Sequence, residues 1–162
     1  MTGPRGWWDD WPTPALLRRA RDVYRASIRK ALDEAGCDDM PRNGAYVIGG
    51  MARTGTPLSE LIKQMGVSKQ AAGQLVDTLV TRGYLDRTVD PDDRRRLTIT
   101  LTERGQSAAA VVKATVDRVD ARLVARVGAQ SFANAMATLA SLIEGDGDAR
   151  ANDPGELPDN AR

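Results

Sequence analysis

The chain has 162 residues, one domain's worth, and its 41% hydrophobic content is enough to bury a core. Its 23 basic and 22 acidic residues leave a net charge of +1, so bulk charge favours no partner and any charged footprint must be local. There is no apolar run long enough for a bilayer, no basic-then-apolar leader pattern and only one cysteine, so the expectation is a cytoplasmic protein without membrane association or intrachain disulfide.

Residues 1–12, MTGPRGWWDDWP, hold all three tryptophans. That is too much indole to leave in water, so the arm is expected to pack on its own subunit or a partner, or to line a ligand pocket. Thr13 is read as the cap of a first helix with Pro14 at its first position, a favoured place for proline. The helix runs to about Ala35, with Leu16, Leu17, Ala20, Val23, Tyr24, Ile28, Ala31, Leu32 and Ala35 on one broad face, and Gly36 ends it. Such a face is wider than a small domain needs, and a second subunit would use the excess. Cys37 follows in the turn, beside Asp38 and Asp39, which disfavour a thiolate. Met40-Pro41 is read as the opening of a second helix reaching about Arg53, whose internal Gly49-Gly50 signals close packing or a small cavity.

The next stretch, LSELIKQMGVSKQAAGQLVDTLVTRGYLDRTVDPDDRRRLTITLTERG, is the centre of the chain. A short helix, Leu58 to Met65, is stopped by Gly66. A second runs from Lys69 to about Arg82, with Ser68 as hydroxyl N-cap and Gly83 past its end. Two β-type runs follow, Tyr84–Val89 and Leu97–Leu101, joined by a polar tip. Helix, short turn, helix and two-stranded ribbon is the winged helix-turn-helix order, which places one helix in a DNA major groove. On that helix Ala72, Leu75, Val76, Leu79 and Val80 form an apolar stripe, leaving Lys69, Gln70, Gly73, Gln74, Asp77 and Thr81 outside. Lysine can meet phosphate or guanine, glutamine can pair with adenine, and the small residues between them let the backbone approach a groove wall. At the ribbon tip, Arg94, Arg95 and Arg96 stand beside Asp90, Asp92 and Asp93. An arginine there suits a narrow minor groove, and a neighbouring aspartate can orient its guanidinium. Which arginine points outward depends on strand pairing.

A long helix is expected from Thr102 to about Val127, with Ala108, Val112, Val116, Val119, Leu123 and Val127 recurring at threes and fours. After a Gly128 break, Ser131 is read as the N-cap of a last helix carrying Phe132, Met136, Leu139 and Ile143. These stripes, far from the ribbon in sequence, read as a dimer interface, the alternative being a helical hairpin within one chain. Residues 145–162, GDGDARANDPGELPDNAR, have almost nothing to bury and read as a disordered tail.

The run DPDDRRRLTITLTERG, residues 90–105, strongly resembles the wing and following helix start of the MarR family of bacterial transcription regulators. Residues 58–87 resemble that family's helix-turn-helix and first wing strand, and the likeness in element order covers roughly 15–144. The resemblance implies Arg94 as minor-groove arginine, Asp93 as its orienting carboxylate, and Lys69, Gln70 and Gln74 facing bases or phosphates. With Ser68, Gly73, Arg95 and Arg96 these make the candidate DNA-binding set. It also implies a homodimer interlocked through its terminal helices on a pseudo-palindromic operator in double-stranded DNA. A small aromatic or anionic effector would bind between the dimer helices and the winged domain, where Trp11, Tyr24 and Tyr46 are the candidate lining.

The expected fold class is therefore mainly α with a small β wing (α+β), a winged helix-turn-helix with N- and C-terminal dimerisation helices. Its segments are a Trp-rich arm (1–12), a dimerisation helix (13–39), the winged domain (40–101), C-terminal dimerisation helices (102–144) and the tail. Without histidine, the chain offers no nucleophile–base pair and no zinc set, so no enzyme activity, catalytic residue, metal or cofactor is expected. Two other readings are a winged-helix module that binds protein rather than DNA, and a regulator that senses oxidants through Cys37, as one branch of the family does through a cysteine near the start of its first helix.

Overall fold

The computed structural model describes residues 6–89 and 97–151. In chain order the elements are α1 (Thr13–Glu34), α2 (Gly44–Thr54), α3 (Leu58–Met65), α4 (Lys69–Thr81), β1 (Leu85–Val89), β2 (Leu97–Leu101), α5 (Glu103–Val127) and α6 (Ala129–Ala151). The strands pair antiparallel in the register Leu85↔Leu101 through Val89↔Leu97. This is the mainly helical winged architecture that the sequence predicts. The chain forms two compact units, one ending at Val119 and one starting at Asp120, so the boundary falls inside α5.

The core lies in the first unit. Leu32 from α1, Cys37 and Met40 from the loop after it, Val47 and Ile48 from α2, Leu79 from α4, Tyr84 and Leu85 from the wing base, and Ala108, Ala109 and Val112 from α5 form one buried cluster. The first half of α5 is thus part of the winged unit's own core. Alanine at 108 and 109 lets this helix lie close against α2, where a Cβ on Gly49 would stand 3.2 Å from Val112. On the same helix, a Cβ on Gly50 would stand 2.6 Å from the Leu61 side chain. The two glycines of α2 therefore mark close packing on both sides, one of the two outcomes their sequence suggests.

Several boundaries differ from expectation for local reasons. Thr13 is already helical; the N-cap is Pro12, which makes no side-chain cap bond. Met40-Pro41 does not open α2. Met40 is buried in the core and Gly44 N–H donates to Pro41 O at 2.8 Å, so residues 40–43 form a turn and the helix starts at Gly44. Tyr84 precedes the ribbon rather than joining it, because its N–H donates back to Leu79 O at 2.9 Å. Ser131 is not the cap of α6. Gly128, at φ +84, makes the break itself and its carbonyl accepts from Phe132 N–H, so helix resumes at Ala129. Finally, α6 continues to Ala151 rather than ending at Glu144, as the helix-forming Ala-Arg-Ala at 149–151 allows; residues 152–162 lie outside the described residues.

Candidate nucleic-acid interface

Three features of the sequence build α4. Gly66, at φ +61, ends α3 in the left-handed conformation that glycine adopts without a Cβ penalty. Ser68 then caps α4, its Oγ accepting from Ala71 N–H at 3.2 Å. Ala72, Val76 and Leu79 are buried and Leu75 and Val80 half-buried, so α4 is seated by the stripe read from its sequence. That seating leaves Lys69, Gln70, Gly73, Gln74 and Asp77 exposed together. At Gly73 a Cβ would meet nothing within 4 Å, so the helix surface is flat there. Ser68 keeps its hydroxyl proton for a further acceptor, since the cap uses only its oxygen.

The wing is joined to this face by an ion pair. Arg87 on β1 reaches across to donate to the Asp77 carboxylate on α4. Both side chains are largely open to solvent, where such a pair adds little stability; it places a cation beside the one acid on the exposed face of α4. The tip that carries Asp93, Arg94, Arg95 and Arg96 lies outside the described residues; the described ribbon ends at the Val89↔Leu97 pair.

Behind the face is a polar hub that the sequence does not announce. The Asp39 carboxylate accepts from Tyr84 Oη at 2.5 Å and from both terminal nitrogens of Arg104, at 2.9 and 3.3 Å. Arg82, just past α4, donates to Asp39 O, and Arg104 also donates to Arg82 O. The Arg104 guanidinium stacks 4.2 Å from the Tyr84 ring centroid. Next to it, Thr102 Oγ1 donates to Gly83 O at 2.5 Å and accepts from Gly105 N–H at 2.9 Å, so one hydroxyl caps α5 and ties it to the end of α4. Four elements meet here: the loop before α2, the end of α4, the base of the wing and the start of α5. The Tyr84 hydroxyl bond, followed by the Arg104 charge, holds the Asp39 carboxyl below its ordinary value against the opposing effect of burial. Burial and the bond to Asp39 push the Tyr84 hydroxyl well above its ordinary value of 10.0.

The sign of the Asp39 shift gives a test. A carboxylate depressed in the folded state stabilises the fold above its unfolded value near 3.8, and that contribution is lost as pH falls through the folded value. Asp39→Asn is therefore expected to lower stability at pH 7 and to flatten the dependence of thermal midpoint on pH below about 4. An unchanged acid limb in the variant would remove Asp39 from this role.

The three candidate effector residues are spread out. Trp11 packs with Trp7 before α1, Tyr24 is half-buried on α1, and Tyr46 on α2 is half exposed with its hydroxyl donating to Gln64 of α3 at 3.1 Å. A shallow groove of about 250 Å³ lies elsewhere, between Arg42 and Asn43, Met65 and Val67, and Gln74 and Thr78 of α4. Cys37 is 7% exposed within the core, its thiol 3.9 Å from Ala35 O; a thiol so enclosed is poorly placed to meet an oxidant.

With this geometry in view, the likeness to known proteins is specific. The chain is 32% identical over 123 residues to the HTH-type transcriptional repressor Rv2887 of Mycobacterium tuberculosis, covering 75% of this chain and 86% of the relative. The chain belongs to the MarR family. A MarR family profile matches residues 38–96, which hold α2, the helix-turn-helix and the first wing strand. The Mycobacterium bovis repressor Mb2911 matches to the same extent, 32% over 123 residues and 86% of its length. Among solved structures, the M. tuberculosis MarR family protein Rv2887 in complex with salicylic acid aligns at TM-score 0.58 and 29% identity, covering 83% of this chain and 98% of that one. The Staphylococcus aureus MepR–DNA complex aligns at TM-score 0.66 with 17% identity, covering 84% and 99%, and supports the fold alone. MarR family proteins are transcription regulators rather than enzymes. Among the described residues, no helix is long and apolar enough to cross a membrane.

Proposed function

We propose that this MarR family chain is a homodimeric transcriptional repressor that binds a pseudo-palindromic operator and releases it when a small aromatic acid binds. The cytoplasm is its place of action. The observation that carries the reading is the similarity to repressors over most of their length, joined to an exposed Lys69-Gln70-Gly73-Gln74 face on a helix with a buried opposite side. Residues 68–82 lie in the major groove and the wing, 89–97, in the minor groove. Lys69 and the wing residues Arg94, Arg95 and Arg96 supply affinity through phosphate and minor-groove contacts, with Asp93 orienting Arg94; Gln70 and Gln74 read base edges. Rv2887 has been solved with salicylic acid and with p-aminosalicylic acid, which supports an aromatic carboxylate as the effector class here. Trp11, Tyr24 and Tyr46 are the residues to substitute in search of its site.

Fluorescence anisotropy with DNA from upstream of the chain's own gene, against a scrambled duplex at two salt concentrations, tests the reading. Salt-sensitive binding that prefers the native duplex and weakens on adding salicylate is the expected result. No binding to either duplex at low salt would favour the protein-binding winged-helix module instead. Arg94→Ala is expected to weaken binding to all duplexes and to reduce the salt slope by roughly one unit. Gln74→Ala should leave that slope in place and relax preference among operator variants; unchanged preference would remove Gln74 as a reader.

A further inference from the structure

Beside α4 stands a loop, residues 37–43 between α1 and α2, three of whose successive carbonyls are held by arginines from outside it. Arg29 of α1 donates to Asp38 O at 2.7 Å and to Met40 O at 3.0 Å, and Arg82 donates to Asp39 O. Met40 is buried in the core, and a Cβ on Gly44 would stand 3.0 Å from Leu79 Cδ2, so the end of the loop is pressed onto α4. The Asp39 carboxylate is taken up by Tyr84 and Arg104. What the clamped loop presents to solvent is Arg42 and Asn43, both exposed. Among the described residues, neither the Arg42 guanidinium nor the Asn43 side-chain amide has a hydrogen-bond or ion-pair partner. These two side chains line the groove of about 250 Å³ together with Gln74 and Thr78 of α4 and the apolar Met65 and Val67. The Thr78 hydroxyl is already spent on Gln74 O at 2.7 Å, which leaves Arg42, Asn43 and the Gln74 amide as the groove's open polar groups.

We propose that Arg42 and Asn43 grip the sugar–phosphate backbone of DNA beside the bases that α4 faces, with Arg29 as the positioning residue that holds their loop. This rests on the DNA-binding reading above. Gln74 belongs both to the exposed face of α4 and to the groove, so a strand docked on that face runs along the groove's edge. The lining matches such a strand. A phosphate offers two oxygens to the fork of a guanidinium and to an amide donor, and a deoxyribose offers an apolar edge to Met65 and Val67. The clamp matters because a side chain delivered on a rigid loop has less freedom to lose on binding. A contact of this kind is blind to sequence: it adds affinity and fixes the register in which Gln70 and Gln74 meet bases.

Anisotropy with the native and scrambled duplexes tests the contact. Arg42→Ala is expected to weaken binding to both at least several-fold and to lower the salt slope by about one unit per protomer, whereas Arg42→Lys keeps the slope. Because Arg42 is exposed, helix content and thermal midpoint should not move. Duplexes in which single phosphates are replaced by methylphosphonate locate the grip: one position in each half-site should weaken the wild type and leave Arg42→Ala unaffected. Arg29→Ala should weaken binding on its own and add little in the Arg42→Ala background. A wild type that binds DNA, with an Arg42→Ala variant of unchanged affinity and slope, would overturn the inference and leave the DNA reading standing. Methylphosphonates that act alike on both proteins would reduce Arg42 to a distant charge and equally overturn it. Equal losses from Arg29→Ala in both backgrounds would strike out the positioning role. A wild type that binds no duplex at low salt would remove the DNA reading itself, and this contact with it.

Discussion

Replacing Gly105 by alanine is expected to destabilise the protein by about 3 kcal/mol, a fall of roughly 10 °C in thermal midpoint. Gly105 lies in the first turn of α5, and a Cβ built there would overlap the Tyr84 carbonyl oxygen and stand 3.1 Å from Leu101 Cδ2. The obstacle is backbone, and that backbone is held: Tyr84 O accepts from Thr102 N–H at 3.2 Å, while the Tyr84 hydroxyl is engaged by Asp39. Alanine's better helix propensity, about 1 kcal/mol, offsets only part of the strain. Gly73→Ala is the matched control. Nothing lies within 4 Å of its Cβ, so the same chemical change should raise stability by up to about 1 kcal/mol. Urea unfolding of the two variants decides the matter; a Gly105→Ala protein as stable as the Gly73→Ala one would contradict the close approach of α5 to the wing base.

Leu79→Ala should cost a similar amount, about 3 kcal/mol, through a cavity under α4. Leu79 has no exposed surface and sits in the shared core with Val47, Ile48, Tyr84 and Ala108, while its carbonyl accepts Tyr84 N–H at 2.9 Å. The denaturant midpoint is expected to drop with the slope unchanged, the signature of lost stability without a changed denatured state. Leu75, half-buried on the same helix, should lose less on the same substitution. A Leu79→Ala protein within 1 kcal/mol of wild type would mean that α4 is seated elsewhere.

Local signals made most of this fold legible. Ser68 as cap, Gly66 and Gly128 as breaks, and the apolar stripe through Ala72, Val76 and Leu79 each act within a few residues, where spacing is informative. The same stripe exposed Lys69, Gln70, Gly73 and Gln74 as the opposite face before any coordinates. Two kinds of feature escaped. The start of α2 turned on whether Met40 would enter the core or the helix, a tertiary choice that no local pattern encodes. The hub of Asp39, Tyr84 and Arg104 joins residues far apart in sequence, and in sequence Asp39 stands out only as a neighbour of Cys37. Its partners lack periodic spacing, so only the fold brings them together. The Asp77–Arg87 pair is similar, although a lone acid on an otherwise DNA-suited face was a hint that a base would be found nearby.

The hub has an evolutionary consequence. Asp39, Arg82, Tyr84, Thr102 and Arg104 hold helix, ribbon base and the following helix to one another, and none of the residues on the exposed Lys69–Gln74 face takes part. Mutations on that face therefore cost the scaffold almost nothing, and mutations in the hub fall first on stability. On the proposed reading, a lineage built this way can exchange the DNA-facing side chains one at a time while its mechanical frame is inherited intact. For the same reason that face is a transplantable part: four or five exposed side chains can be exchanged without rebuilding what stands behind them.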